Sequence, residues 1–208
     1  MTERDIRSEM KDALTEIFNV GIGRAACVLS ELIGDEILLT VPQLGMMKRS
    51  EFIELAGQMW KMPACIVRQS FNGPFCGDAL LIFPARDSLE LVRVLLAEPS
   101  PIETMTELER EALLEVGNII LNACISCIAD MIGHEITNAL PVYIDSAPGV
   151  LIESLVLAPD WYVIFLHIDF TVQRTNLTGN IVFILDVPAI DAFGTAVMSL
   201  IEQFNGEP

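Results

Sequence analysis

Two stretches of this chain, ninety-nine residues apart, are written in the same order. DALTEIFNVGIGRAACVLSELIGDEILLTVP, from Asp12 to Pro42, aligns without gaps on EALLEVGNIILNACISCIADMIGHEITNALP, from Glu111 to Pro141. Nine of 31 positions are identical, and apolar character is kept at most of the others. This is an internal duplication, and it commits the chain to two copies of one supersecondary unit.

Each copy reads as a helix ended by a glycine, Gly34 or Gly133, followed by a short strand ended by a proline, Pro42 or Pro141. The later parts correspond more loosely. ACIVRQSF and YVIFLHIDF read as strands, GDALLIFP resembles GNIVFILDVP, and each half closes on a helix, DSLELVRVLLAE or IDAFGTAVMSLIEQF. Short turns such as Asn72–Gly73 suggest hairpins in an antiparallel sheet. AEPSPIETMT joins the halves, with a Thr-x-x-Glu cap at the start of the next helix. The expectation is an α+β protein with two pseudo-symmetric halves, residues 1–100 and 101–208. Each half is small for an independent core, so the two should share a single domain.

At roughly 100° per residue, Leu14, Ile17, Phe18, Gly21, Ala25, Val28, Leu29 and Leu32 fall on one side of the first helix. Asp12, Glu16, Asn19, Gly23, Ala26 and Ser30 fall on the other. The second helix sets Leu113, Val116, Gly117, Ile120, Cys124, Cys127 and Met131 against Glu111, Glu115, Asn118, Asn122 and Ala129. Acid and amide are therefore neighbours at i, i+3 on both outer faces. Small residues beyond them, Gly23 above all, would let another protein approach closely. A lone Glu-x-x-Asn is ordinarily a solvated pair, but a solvated face does not require a matching amide in both copies.

The net charge of −17 argues against nucleic acid and anionic membrane, both of which select clustered Lys and Arg. The N-terminal MTERDIRSEMKD lacks the apolar core of a secretion signal. The longest uncharged apolar run, Val116 to Ala129, is short for a span and contains two Asn and a Ser. The expected compartment is the cytoplasm, where the five cysteines stay reduced.

The arrangement acid-x3-Glu-x2-Asn-x22-Pro, met by Asp12–Glu16–Asn19–Pro42 and again by Glu111–Glu115–Asn118–Pro141, resembles the motif of the CheC/CheX/FliY family of chemotaxis phosphatases. The likeness covers nearly the whole chain and is greatest to stand-alone CheC, with no added flagellar-switch domain. First motifs of the family usually continue with Asn where this chain has Arg24, and Glu111 replaces the commoner Asp or Ser. The resemblance implies a CheC-like fold with two long motif-bearing helices and mainly antiparallel sheet. It also implies hydrolysis of the aspartyl-phosphate of a CheY-like receiver domain in two-component signalling. Asn19 and Asn118 would orient the attacking water, while Glu16 and Glu115 would pair with the receiver's lysine. Asp12, Gly23, Glu111 and Asn122 would contact the partner, and Pro42 and Pro141 would shape the surface. No cofactor is implied for this chain, since Mg²⁺ comes with the receiver; a CheD-like receptor deamidase is a further implied partner. The rival reading is a non-catalytic signalling protein of the same fold, which would be free to lose its amides.

Cys124-x-x-Cys127 invites a dithiol or zinc reading, yet both sulfurs fall on the apolar face and no second pair completes a zinc site. His134 and His167 have no neighbouring ligand at metal spacing. GIGRAA follows no strand, and so fails as a phosphate-binding glycine loop.

Overall fold

A computed structural model describes residues 3–60, 64–74, 76–98, 105–146, 161–172 and 175–186, together with Asp191, Ala192, Gly194, Thr195 and Ser199. The elements run α1 (Glu3–Ile33), β1 (Ile37–Lys48), α2 (Arg49–Met59), β2 (Ala64–Asn72), β3 (Cys76–Pro84) and α3 (Ala85–Leu95) in the first half. The second half follows with α4 (Glu107–Ile132), β4 (Thr137–Asn138), β5 (Val142–Ser146), β6 (Tyr162–Val172) and β7 (Thr175–Leu185). The expected last helix falls mostly outside the described residues.

The glycine stops act as read. Gly34 and Gly133 take φ of 74° and 68°, a left-handed conformation that suits a residue without Cβ and ends both motif helices. At the end of α1, the Ser30 hydroxyl donates to Ala26 O (2.7 Å) and accepts from Ile37 N (2.9 Å), tying helix to strand. The cap of α4 is Thr106, whose N–H donates to the Glu109 carboxylate at 2.9 Å.

All strand pairs are antiparallel, in the order β1-β6-β7-β3-β2-β4, with β5 also on β2. The halves interlock in this sheet. Each contributes its own hairpin, β2–β3 or β6–β7, while β1 lies on the other half's β6 and β5 on the other half's β2. The hairpins meet at β3–β7. On one face, α1, α3 and α4 bury Leu14, Phe18, Leu91, Leu113 and Ile120 against Val67, Leu81, Leu166 and Phe183. On the other, α2 covers Ile66, Leu80, Phe165 and Val182 with Phe52 and Ala56.

Several expectations change. Pro42 does not end its strand: β1 continues to Lys48, and the register shifts between Thr40 and Gln43. Proline lacks an N–H, and a bulge accommodates it without breaking the strand. Pro141 does separate two strands, β4 and β5. The helix α2 was not anticipated, because RSEFIELAGQM is short and only Phe52 and Ala56 are buried. On α1, Val28 (49%) and Leu32 (60%) are exposed, whereas Ile22 and Ala26 are buried. The stripe that α1 buries is rotated because it packs on α4 as well as on the sheet. By length and composition two helical stretches could cross a membrane, Lys11–Ile33 and Glu107–Ile132; here each lays its apolar face on the sheet.

Two glycines of the motif helices make opposite predictions. A Cβ at Gly23 would meet nothing within 4 Å, whereas one at Gly117 would overlap the buried Val67 side chain. Gly23→Ala should stabilise by about 0.5–1 kcal/mol through helix propensity alone. Gly117→Ala should cost about 1–2 kcal/mol net, because overpacking outweighs the same gain. Urea unfolding of the two variants measures both signs.

Candidate functional site

The motif positions on α1 are open. Asp12, Glu16, Asn19 and Gly23 are all exposed, and no hydrogen bond joins the Asn19 side chain to another described residue. Leu14, Phe18 and Ile22, fully buried beneath them, hold this helix face outward. Phe18 stacks on Phe183 of β7 at 5.3 Å.

On α4, Glu111 and Glu115 are exposed and Asn118 is half-buried. Here the two copies part. Asn122, expected on the partner-facing surface, is half-buried and tied into a cluster of amides. Its Nδ2 donates to Asn118 Oδ1 at 2.8 Å, and its Oδ1 accepts from Gln69 Nε2 (3.1 Å) and Asn138 Nδ2 (2.6 Å). Gln69, on β2, also donates to the Ala139 carbonyl at 3.0 Å. Its Oε1 is buried without a hydrogen-bond partner among the described residues. Such an orphan costs about 1–3 kcal/mol. The equivalent of Asn122 in the first copy is Gly23, so Asn19 has no such support. Sequence reasoning missed Gln69 and Asn138. The available signal was strand alternation: Cys65, Val67, Gln69 and Phe71 share one face of β2, and a glutamine on that inward face needs a partner.

The two motif helices touch. Gly21 lets α1 approach α4 so closely that a Cβ there would lie 3.2 Å from Ala123 O. Arg24, one of the two departures from the motif pattern, donates to Asp130 Oδ2 at 3.4 Å and to Cys127 Sγ at 3.5 Å. Its ion pair is 58% and 71% exposed, so its contribution to stability is small. Beside it, Glu16, Ile17, Val20, Arg24, Cys127, Asp130 and Met131 line a shallow groove of about 310 Å³.

The cysteines are not arranged for redox chemistry. Burial pushes the Cys124 thiol far up and also raises Cys127, against the opposing pull of the Arg24 charge. Thiolate is the reactive species, so both should be inert. Cys27 and Cys76 are exposed. The Cys76 thiol is nevertheless raised, first by partial burial and then by the Asp186 carboxylate. Native alkylation should therefore label Cys27 first and Cys76 more slowly, with Cys65, Cys124 and Cys127 reacting only on unfolding. Mass spectrometry of the labelled peptides reads this order, and rapid double labelling of Cys124 and Cys127 would restore the dithiol reading. Among the described residues, no group of three or more His, Cys, Asp or Glu is placed to hold a metal.

No protein-family model matches the chain. Over 154 residues it is 26% identical to CheY-P phosphatase CheC of Bacillus subtilis (strain 168), covering 72% of this chain and 73% of that protein. Its fold is similar to that of Thermotoga maritima FliY, with a TM-score of 0.72 at 15% identity over 96% of this chain and 98% of that one. In sequence the chain is thus similar to CheC and in fold to FliY, in line with the resemblance that its motif carries. The same fold occurs in the FliM middle domain from H. pylori, with a TM-score of 0.67 at 11% identity over 94% of this chain and 99% of that one. The acids and amides of the motif that carried the resemblance lie on α1 and α4, two of the three helices that cover one face of the sheet. Five of its six acid and amide side chains are exposed, and the sixth, Asn118, is half-buried in a polar cluster.

Proposed function

We propose that this protein accelerates hydrolysis of the aspartyl-phosphate of a CheY-like receiver domain. The observation that carries the reading is the pair of motif helices, each presenting an exposed carboxylate three residues before a carboxamide. The likeness to CheY-P phosphatase CheC supports it.

A receiver holds its phosphoryl group against its own Mg²⁺ and lysine, so positioning and charge are what a helper contributes. A carboxamide suits this task because it can donate to and accept from one water. Asn19 or Asn118, inserted beside the phosphoryl group, orients that water in line with phosphorus. The water oxygen bonds to phosphorus as the bond to the aspartyl oxygen breaks. The receiver regains its carboxylate, one proton stays on the released phosphate, and the other passes to solvent. Glu16 or Glu115 pairs with the receiver's lysine and sets the register of the two proteins. Asp12 and Glu111, one turn earlier, face the rim of the docked domain, and Gly23 leaves room for it beside Asn19.

The same proposal takes residues 1–208 as one functional unit acting in the cytoplasm, with a CheD-like deamidase as a second partner. The interlocked sheet supports the single unit, since neither half has a complete set of strands of its own. The test is phosphate release from phosphorylated receiver domains of the same genome, with and without this protein. Accelerated release from at least one receiver is the expected result; unchanged release from all of them overturns the proposal.

A further inference from the structure

An amide side chain has a donor end and an acceptor end of nearly the same shape, so its orientation follows from its partners. Around Asn118 one of those partners has a single polarity. The Ala139 carbonyl can only accept, so the end of Gln69 that faces it at 3.0 Å is the amine, Nε2. The same Nε2 lies 3.1 Å from Asn122, which must therefore present its oxygen. Asn138 Nδ2 donates to that oxygen as well. The other end of Asn122, Nδ2, is then the one that meets Asn118, and it donates to Asn118 Oδ1 at 2.8 Å. The outward end of Asn118 is thus its Nδ2, with one lone pair of Oδ1 still free.

We propose that Gln69 and Asn122 form a positioning relay, in which the backbone carbonyl of Ala139 sets the amide orientation of Asn118 before the receiver arrives. The inference rests on the phosphatase reading and deepens it for the second copy. The start of the relay is anchored, because Ala139 N–H donates to Ser70 O at 2.8 Å and so holds this segment against β2. Gln69 is 1% exposed and flanked on its face of the strand by Val67 and Phe71, where an apolar side chain would pack without an unpaired atom. Its orphaned Oε1 has an explanation in the relay. Turning Gln69 over would aim that oxygen at two other oxygens, Ala139 O and Asn122 Oδ1. The first copy has Gly23 in place of Asn122 and no relay, so Asn19 is oriented only when a partner docks.

Asn122 and Gln69 are positioning residues, and their test has to separate orientation from folding and docking. The assay is stimulated phosphate release in an Asn19→Ala background, where only the second copy operates. Asn122→Asp keeps the acceptor that Gln69 and Asn138 use but cannot donate to Asn118, which then turns its own Nδ2 inward. The rate at saturating receiver should fall about tenfold, a typical consequence of slight misplacement. The half-saturating receiver concentration should stay within twofold. Gln69→Leu removes the relay one step further back and also the buried orphan. It should lower the saturating rate about threefold while leaving the melting temperature unchanged or higher, a combination that a purely structural role would not produce. An unchanged saturating rate in both variants overturns the relay, as does a raised half-saturating concentration at an unchanged saturating rate. Asn118→Ala in the same background distinguishes the two levels of argument. If it silences the protein while the relay variants do not, only the relay falls. If it leaves the stimulated rate intact, the water-orienting role of Asn118 falls and the relay with it, whereas a parent protein that stimulates no receiver removes the phosphatase reading itself.

Discussion

Asn19→Ala combined with Asn118→Ala should abolish stimulated phosphate release while the protein remains folded. The expected loss is at least a hundredfold in rate, since what is removed is the group that holds the attacking water in line. Both amides have to go, because each copy carries its own acid and amide on a separate helix. Either single variant should retain activity from the other copy. Little stability is at stake. The Asn19 side chain is exposed and makes no hydrogen bond to another described residue. Asn118 loses the bond from Asn122, and a typical bond of this kind contributes about 0.5–1.5 kcal/mol. Circular dichroism and a thermal melt should match the parent to within several degrees. Retained stimulation in the folded double variant would leave binding as the only role for these helices.

Phe18→Ala should be the most damaging single substitution in the first motif, for the opposite reason. Phe18 is fully buried, stacked on Phe183 at 5.3 Å, and Phe183 in turn meets Phe71 edge-on at 6.4 Å. Truncating such a ring removes its transfer free energy and leaves a cavity, together about 3–5 kcal/mol. A domain of ordinary stability has about 5–15 kcal/mol in total. The midpoint of urea unfolding should therefore drop sharply. In an Asn118→Ala background, the first-copy rate should fall with it, because Phe18 is the side chain that seats the turn carrying Glu16 and Asn19 on the sheet. An unfolding free energy within about 0.5 kcal/mol of the parent's, the range of surface substitutions, would contradict this placement.

Phe18 also shows where reading the sequence stops. In the repeat it aligns with Gly117, so the two copies place their largest and smallest side chains at one position. On α1 the phenyl ring reaches across to β7, while on α4 the absent Cβ lets Val67 of β2 press against the helix. A duplication preserves backbone geometry, but each copy has repacked against different neighbours. Helical periodicity placed Leu14, Phe18, Leu113 and Ile120 inward correctly, since 3.6 residues per turn is a local property. It misplaced Val28, Leu32 and Ala26, since the width of a buried stripe depends on how many elements the helix touches, and α1 packs on α4 as well as on the sheet.

The sequence by itself determined the two glycine-stopped helices, the hairpins β2–β3 and β6–β7, and the acid and amide on each motif helix. All of these depend on residues close together in the chain, through backbone conformation and side-chain spacing. Only the tertiary structure decided that each half's outer strand joins the other half's hairpin. Only it showed that Asn118 is braced by Asn122 and Gln69 while Asn19 stands alone. Gln69 and Asn122 are brought together by sheet and helix packing across 53 residues of chain, and no local pattern records which buried amide will meet which.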